Sequence, residues 1–262
     1  MHLIGTIKSF FGQNSTVVGS SIAGTSLLLV WGFKKRFYGQ TNKQGKATLM
    51  DDSDMYPEHK YSHIIDDTTK PVKKSMIYTR TGDKGTSMLY SGERRSKNDV
   101  VFEAMGATDE LNGVLGIARE YCIMSNNGLD EPLADIQSRL FDIGAVIATP
   151  RSSSSESKIS KTPFSESHTR DLEQLIDHMD SALPPLTTFI LPSGGLSSTH
   201  LHLARSICRR AERRVVALVS EGEIELEVQK YLNRLSDFLF SAARYASFKE
   251  RRPETVWQKG DK

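Results

Sequence analysis

Residues 225–248 read ELEVQKYLNRLSDFLFSAARYASF, and their apolar positions decide the fold. Val228, Tyr231, Leu232, Leu235, Phe238, Leu239, Ala242 and Tyr245 recur at steps of three and four, the spacing that puts side chains on one side of an α-helix. The face they make is wide enough to lie inside a bundle. Working backwards, Gly222 separates this helix from another over about residues 198–220. A third is expected near residues 167–182 through Leu172, Leu175, Ile176 and Met179. Two more carry Phe102, Met105, Leu111, Leu115, Ala118 and Cys122, then Leu133, Ile136, Leu140, Ile143 and Ile147. No stretch shows a competing strand alternation. The expectation is an all-α fold, an up-and-down five-helix bundle over residues 73–250. The Ser-rich connection 151–163 reads as mobile, and residues 251–262 as a C-terminal tail.

The chain has 262 residues, with 34 Lys and Arg against 32 Asp and Glu, and 38% hydrophobic residues, which is enough to build a sizeable core. A net charge of +2 lacks the concentrated positive face of a nucleic-acid binder, so no nucleic-acid partner is expected. No apolar run reaches the roughly 18 residues of a membrane span. Cys122 and Cys208 have neither zinc-ligand spacing nor the pattern of a disulfide framework, and histidines 168, 178, 200 and 202 show no ligand spacing, so no structural metal is assigned. Residues 1–50 contain no Asp or Glu, six Lys or Arg and ten Ser or Thr, the composition of a mitochondrial transit peptide. A secretory signal is the competing reading, because residues 26–30 are apolar, but most of the basic residues follow that run instead of preceding it. Residues 1–72 are therefore expected to be a transit peptide and a disordered linker marked by Pro57 and Pro71, and the protein to act in the mitochondrial matrix.

Three clusters carry chemistry. In Thr79-Arg80-Thr81-Gly82-Asp83-Lys84-Gly85-Thr86-Ser87, two glycines let the backbone turn and expose its amides while hydroxyls and two cations add donors, as a phosphate cradle requires. The same residues also make a good hairpin turn, and the P-loop spacing is absent. Arg205, Arg209, Glu212 and Arg213 fall on one helical stripe, with Arg210 and Arg214 beside them. Five guanidinium groups exceed what one carboxylate can pair, and their planar forks suit phosphate oxygens, although a solvated basic face is the commoner fate of such a run. Asn233, Arg234 and Asp237 interrupt the last helix, where Arg234 and Asp237 read as members of a polar network. Asp109, Glu110 and Asn112 break the first helix in the same way, and pairing with an Arg elsewhere is as plausible for them as catalysis.

The stretches YTRTGDKGTSMLYSGERRSK, FEAMGATDELN, FILPSGG, CRRAERRVV and YLNRLSDFLFSAARYA, in that order, resemble the PduO-type ATP:cob(I)alamin adenosyltransferases, including the mitochondrial enzyme of animals. The resemblance spans residues 73–248. Two departures stand within it: Arg80 where the family often has Lys, and Gly106-Ala107 where it often has Gly-Thr.

This resemblance implies a ferritin-like five-helix bundle assembled as a homotrimer, with ATP held between subunits. It implies transfer of the 5′-deoxyadenosyl group of ATP, accompanied by Mg²⁺, to the cobalt of a reduced cobalamin, with release of triphosphate. It also implies that a cobalamin reductase and an adenosylcobalamin-dependent mutase are possible partners. The implied nucleotide site falls on Thr79, Arg80, Thr81, Gly82, Asp83, Lys84, Ser87, Met88 and Lys97. It continues on Arg209, Arg210, Ala211, Glu212 and Arg213, with Asn233 on the nucleoside side. Phe189 matches an aromatic residue at the corrinoid face, and Asp109 a carboxylate that pairs with an Arg of the next subunit. A cobalt(I) centre is itself a strong nucleophile, so no Ser-His or Cys-His pairing is needed. The competing reading is a non-enzymatic bundle that docks an acidic partner through its Arg helix.

Overall fold

The computed structural model describes residues 75–260; the expected transit peptide and linker lie outside the described residues. The chain opens with a hairpin of β1 (Thr86–Met88) and β2 (Arg94–Ser96), followed by α1 (Val100–Ser125) and α2 (Asp130–Ile147). A short α3 (Glu156–Ile159) leads to α4 (Ser167–Ala182). Then come β3 (Ile190–Leu191), α5 (Leu196–Ser220), α6 (Leu226–Lys249) and β4 (Thr255–Val256). The five long helices agree with the expected periodicities. The short strands and α3 are additions, because two or three residues carry no readable period.

Asp99 starts α1 by accepting the Val101 amide on its carboxylate at 2.9 Å, and Asn126 ends it in the left-handed region. The long helices pack in the lateral order α2, α1, α5, α6, α4. Between them lies a core in which Leu111, Leu115, Leu133, Ile143, Leu201, Leu232, Leu235, Phe238 and Leu239 have no exposed surface. Both thiols lie in it, and Cys208 donates to the Leu232 carbonyl at 3.2 Å.

Two segments are more ordered than their composition suggests. The Ser-rich connection is pinned to the α5–α6 turn, where the Arg151 amide donates to the Glu223 carbonyl (3.0 Å) and Ser152 Oγ to the Glu223 carboxylate (2.8 Å). The expected C-terminal tail returns as β4, antiparallel to β3, with Ile190 opposite Val256 and Leu191 opposite Thr255. Arg244, almost fully buried in α6, donates to the Pro184 carbonyl at 2.8 Å and lies 3.4 Å from the Glu254 carboxylate, which ties this two-strand layer to the bundle.

The turn from β3 into α5 needs its glycines. Gly194 and Gly195 have φ of +88° and +100°, and a Cβ on Gly194 would stand 2.5 Å from Ser247 Oγ. Gly194→Ala is therefore expected to destabilise the fold by about 1–3 kcal/mol through left-handed strain and overlap with α6. The effect should appear as a lower urea midpoint at unchanged slope.

Candidate active site

The loop before β1 closes as a turn, the Gly85 amide donating to the Gly82 carbonyl at 3.2 Å, with Gly85 at φ +76° and Arg80 also left-handed at +57°. It is a separate turn from the hairpin connection, which lies at residues 89–93. Arg94 fastens it: one guanidinium nitrogen donates to the Thr81 carbonyl (2.8 Å) and to Thr86 Oγ1 (2.9 Å). Thr79 and Thr81 hydroxyls lie 2.9 Å apart, and the Arg80 guanidinium sits over the Tyr78 ring. The Lys97 amide donates to Gly85 O at 2.9 Å, and a Cβ on Gly82 would meet Lys97 Nζ at 3.2 Å. Lys97 thus points its ammonium at the turn. Ser87 and Met88 are half-buried in β1, while Asp83 and Lys84 are exposed at the turn. Arg94 was not among the sequence candidates; it is one of two adjacent arginines on β2, and its reach to the loop is visible only once β1 and β2 pair.

On α5 the structure sorts the five arginines. Arg210 donates to the Glu110 carboxylate of α1, and Arg214 lies 3.6 Å from Glu103 of the same helix. Carboxylates on a neighbouring helix therefore supply what one helix appeared to lack. Arg205, Arg209 and Arg213 have no carboxylate partner among the described residues. Arg213 donates only to the Arg209 carbonyl, and the Arg205 guanidinium lies over the Phe240 ring with its Nε buried and unpaired. Asn233 of α6 donates to Glu212 at 2.9 Å, so those two candidates meet, next to buried Ala211. Arg234 bonds Glu173 and Asp237, the polar network expected of it. Asp109 is exposed on α1 and forms no ion pair among the described residues, whereas Asn112 meets Gln137 of α2.

Phe189 is 80% exposed, an unusual position for an aromatic side chain. Its ring meets Trp257 edge-on at 6.2 Å, and its carbonyl accepts the Trp257 amide at 2.8 Å. Beside it runs a groove of about 530 Å³ between α4, α5 and α6, walled by Leu186, Phe189, Ile176 and Phe240 on its apolar side and by Arg205, Arg209 and Asp237 on its polar side. Phe189 and Arg209 thus share one groove. No hydrogen bond or ion pair among the described residues links loop 79–85 to that groove. Burial pushes both Cys122 and Cys208 thiols up, so neither is a thiolate nucleophile at neutral pH.

Residues 77–246 match the family model described as cobalamin adenosyltransferase. The chain is 51% identical over 194 residues to the corrinoid adenosyltransferase MMAB of Bos taurus, covering 74% of this chain and 80% of that one. It is 50% identical over 194 residues to the Homo sapiens protein of the same name, covering 74% and 78%. A variant PduO-type ATP:corrinoid adenosyltransferase from Lactobacillus reuteri, solved with cobalamin and ATP, superposes with a TM-score of 0.65 at 37% identity, over 70% of this chain and 99% of that one.

His202, buried beneath the same wall and packed against Phe240, is held down at about 4 by burial first and by Arg205 second. An unfolded histidine titrates near 6.5, so folding favours the neutral ring. That contribution is complete above pH 6.5 and is lost as the pH falls from 6.5 through 4, a difference of up to about 3 kcal/mol. The urea midpoint of the protein is expected to fall across that window more steeply than that of His202→Gln.

Proposed function

The chain belongs to the cobalamin adenosyltransferase family and catalyses ATP-dependent adenosylation of cobalamin; we propose that it does so with Phe189 at the corrinoid and the loop 79–85 and α5 arginines at the triphosphate. Cobalt(I) attacks the ribose 5′ carbon, the new cobalt–carbon bond forms as the carbon–oxygen bond breaks, and the electron pair leaves with triphosphate. Positioning in line and neutralising the leaving group is the protein's work. The α5 arginines without a carboxylate partner among the described residues, Arg205, Arg209 and Arg213, are the candidates to take up that charge. Lys84, exposed at the turn, and Lys97, whose ammonium points at it, add donors. Magnesium accompanying ATP would neutralise part of the triphosphate charge.

The single observation that carries this reading is the groove in which exposed Phe189 and unpaired Arg209 face one space. An apolar ring there takes the place of a lower axial ligand on cobalt and keeps water out, which favours reduction to cobalt(I). A docking role for the Arg helix is the weaker reading, because Arg210 and Arg214 are already spoken for by α1.

Geometry also supports assembly. The hairpin tip is tied to the end of α2 and to residues that contact the α5–α6 turn, while the groove lies over the first half of α5. Among the described residues no hydrogen bond or ion pair joins loop 79–85 to the groove, and a loop from a neighbouring copy is proposed to complete the site. A homotrimer is the assembly proposed, with Asp109 pairing across the interface to an α5 arginine. Work in the mitochondrial matrix after removal of residues within 1–72, reduction of the corrinoid by a reductase and delivery of product to a dependent mutase complete the proposal.

Mixing the protein with ATP and reduced cobalamin is expected to convert the visible spectrum to the alkyl-cobalt form, and an unchanged spectrum removes the reading. Phe189→Ala is expected to leave ATP affinity intact but to slow turnover from cobalt(II) substrate plus reductase on the order of a hundredfold. Arg209→Ala is expected to weaken ATP binding by about 1.5–3 kcal/mol in a calorimetric titration. Affinity near that of the unaltered protein would take Arg209 out of the site.

A further inference from the structure

An isolated two-stranded hairpin is marginal in water, yet here β1 carries Ser87 and Met88, β2 runs directly into Lys97, and the Lys97 amide on the Gly85 carbonyl fixes the end of the loop that precedes them. Something outside the hairpin must hold it. Leu89 supplies one anchor in the core, and the Tyr90 amide another through the Ala148 carbonyl at 3.1 Å. The only ammonium among the described residues that reaches the hairpin tip belongs to Lys158 of α3, whose Nζ donates to the Tyr90 carbonyl (3.0 Å) and the Ser91 carbonyl (2.7 Å). The same ammonium lies 5.6 Å from the centre of the Tyr90 ring. Its partners are backbone oxygens, so the bond depends on the path of the chain at the tip and not on which side chains stand there.

The segment that presents Lys158 is itself held. Residues 151–152 are bonded to Glu223 in the α5–α6 turn, and Ser153 Oγ reaches Ser91 Oγ at 3.4 Å. A continuous set of polar contacts therefore runs from the turn after the Arg helix, through the Ser-rich connection, to the hairpin tip and along its strands to Gly85.

We propose that Lys158 is a positioning residue for ATP, holding the hairpin so that the loop 79–85 keeps the shape that receives the triphosphate. This rests on the reading that the loop binds ATP. Lys158 touches neither substrate; it acts through the hairpin, and its loss leaves the groove at Phe189 untouched.

The test uses the full-length enzyme carrying Lys158→Met, Lys158→Arg or, as a comparison within the loop, Lys84→Ala. ATP and cobalamin are titrated separately, and amide exchange is followed at Gly85 and Lys97. Lys158→Met is expected to raise the KM for ATP about tenfold, with kcat, the KM for cobalamin and the melting temperature unchanged and with faster exchange at both amides. Lys158→Arg, which keeps the charge and the donors, is expected to restore the ATP KM. Should Lys158→Met not fold, Lys158→Gln replaces it, with the same expectations. An unchanged ATP KM in Lys158→Met, alongside a raised one in Lys84→Ala, overturns the role of Lys158 and leaves the loop reading standing. A joint rise in both KM values with a lower melting temperature also overturns it, as that is general loss of structure. An unchanged ATP KM in Lys84→Ala overturns the loop reading itself, and this inference with it.

Discussion

Helix α6 has almost no side it can show to water. Val228, Tyr231, Leu232, Leu235, Phe238, Leu239, Ala242, Ala243 and Ala246 are each 1% exposed or less, so the helix must be covered by α5 on one flank and α4 on the other. That requirement sets the places of the functional groups. The narrow strip of α6 that stays open carries Asn233, Asp237 and the edge of Phe240, and the arrangement of α5 against it brings Glu212 to Asn233 and Arg205 to Phe240. Polar site residues here are positioned by apolar packing a few ångströms away, on rigid helices instead of loops.

The same burial explains what the sequence disclosed. Long amphipathic helices repeat their apolar positions many times, so α1, α2, α4, α5 and α6 were legible from period alone. The β3–β4 layer was not, because each strand has two residues and is defined by a partner some 65 positions away in sequence. α3 was hidden for a related reason: its order comes from Glu223 and the hairpin tip, and the serines around it suggest only a mobile loop. Within the site, the Arg stripe was visible as a helical pattern, but which arginines are free was not. Arg210 and Arg214 find carboxylates on α1, and helix-to-helix facing cannot be counted along one helix. Phe189 drew attention by resemblance; no local pattern distinguishes a functional exposed aromatic from an ordinary one until its 80% exposure is seen beside a groove.

Phe189 is held at its backbone and not enclosed at its ring. Pairing of β3 with β4, the Trp257 amide on its carbonyl, and the Arg244 contacts to Pro184 and Glu254 fix the main chain, while the ring is left facing outward. The left-handed Gly194–Gly195 turn brings that layer close against Ser247. Exposing an aromatic ring forgoes burial worth about 1.5–3 kcal/mol, and a layer built to present it makes sense if a flat apolar surface such as a corrinoid later covers it.

Charge leads to the same place by another route. Among the described residues, Arg205, Arg209 and Arg213 stand on one stripe without carboxylate partners, and Asp109 stands exposed on α1 without a cation. Like charges crowded along one helix are unfavourable unless something negative arrives. A triphosphate supplies negative charge only while substrate is bound, and a carboxylate from a second copy supplies it permanently. In the proposed assembly the two would act together, one keeping the stripe ordered between turnovers and the other strengthening its hold as the leaving group gains charge. On the proposed assembly, an interface that shared Asp109 with one arginine and left the others to ATP would divide the stripe into a structural part and a part reserved for chemistry.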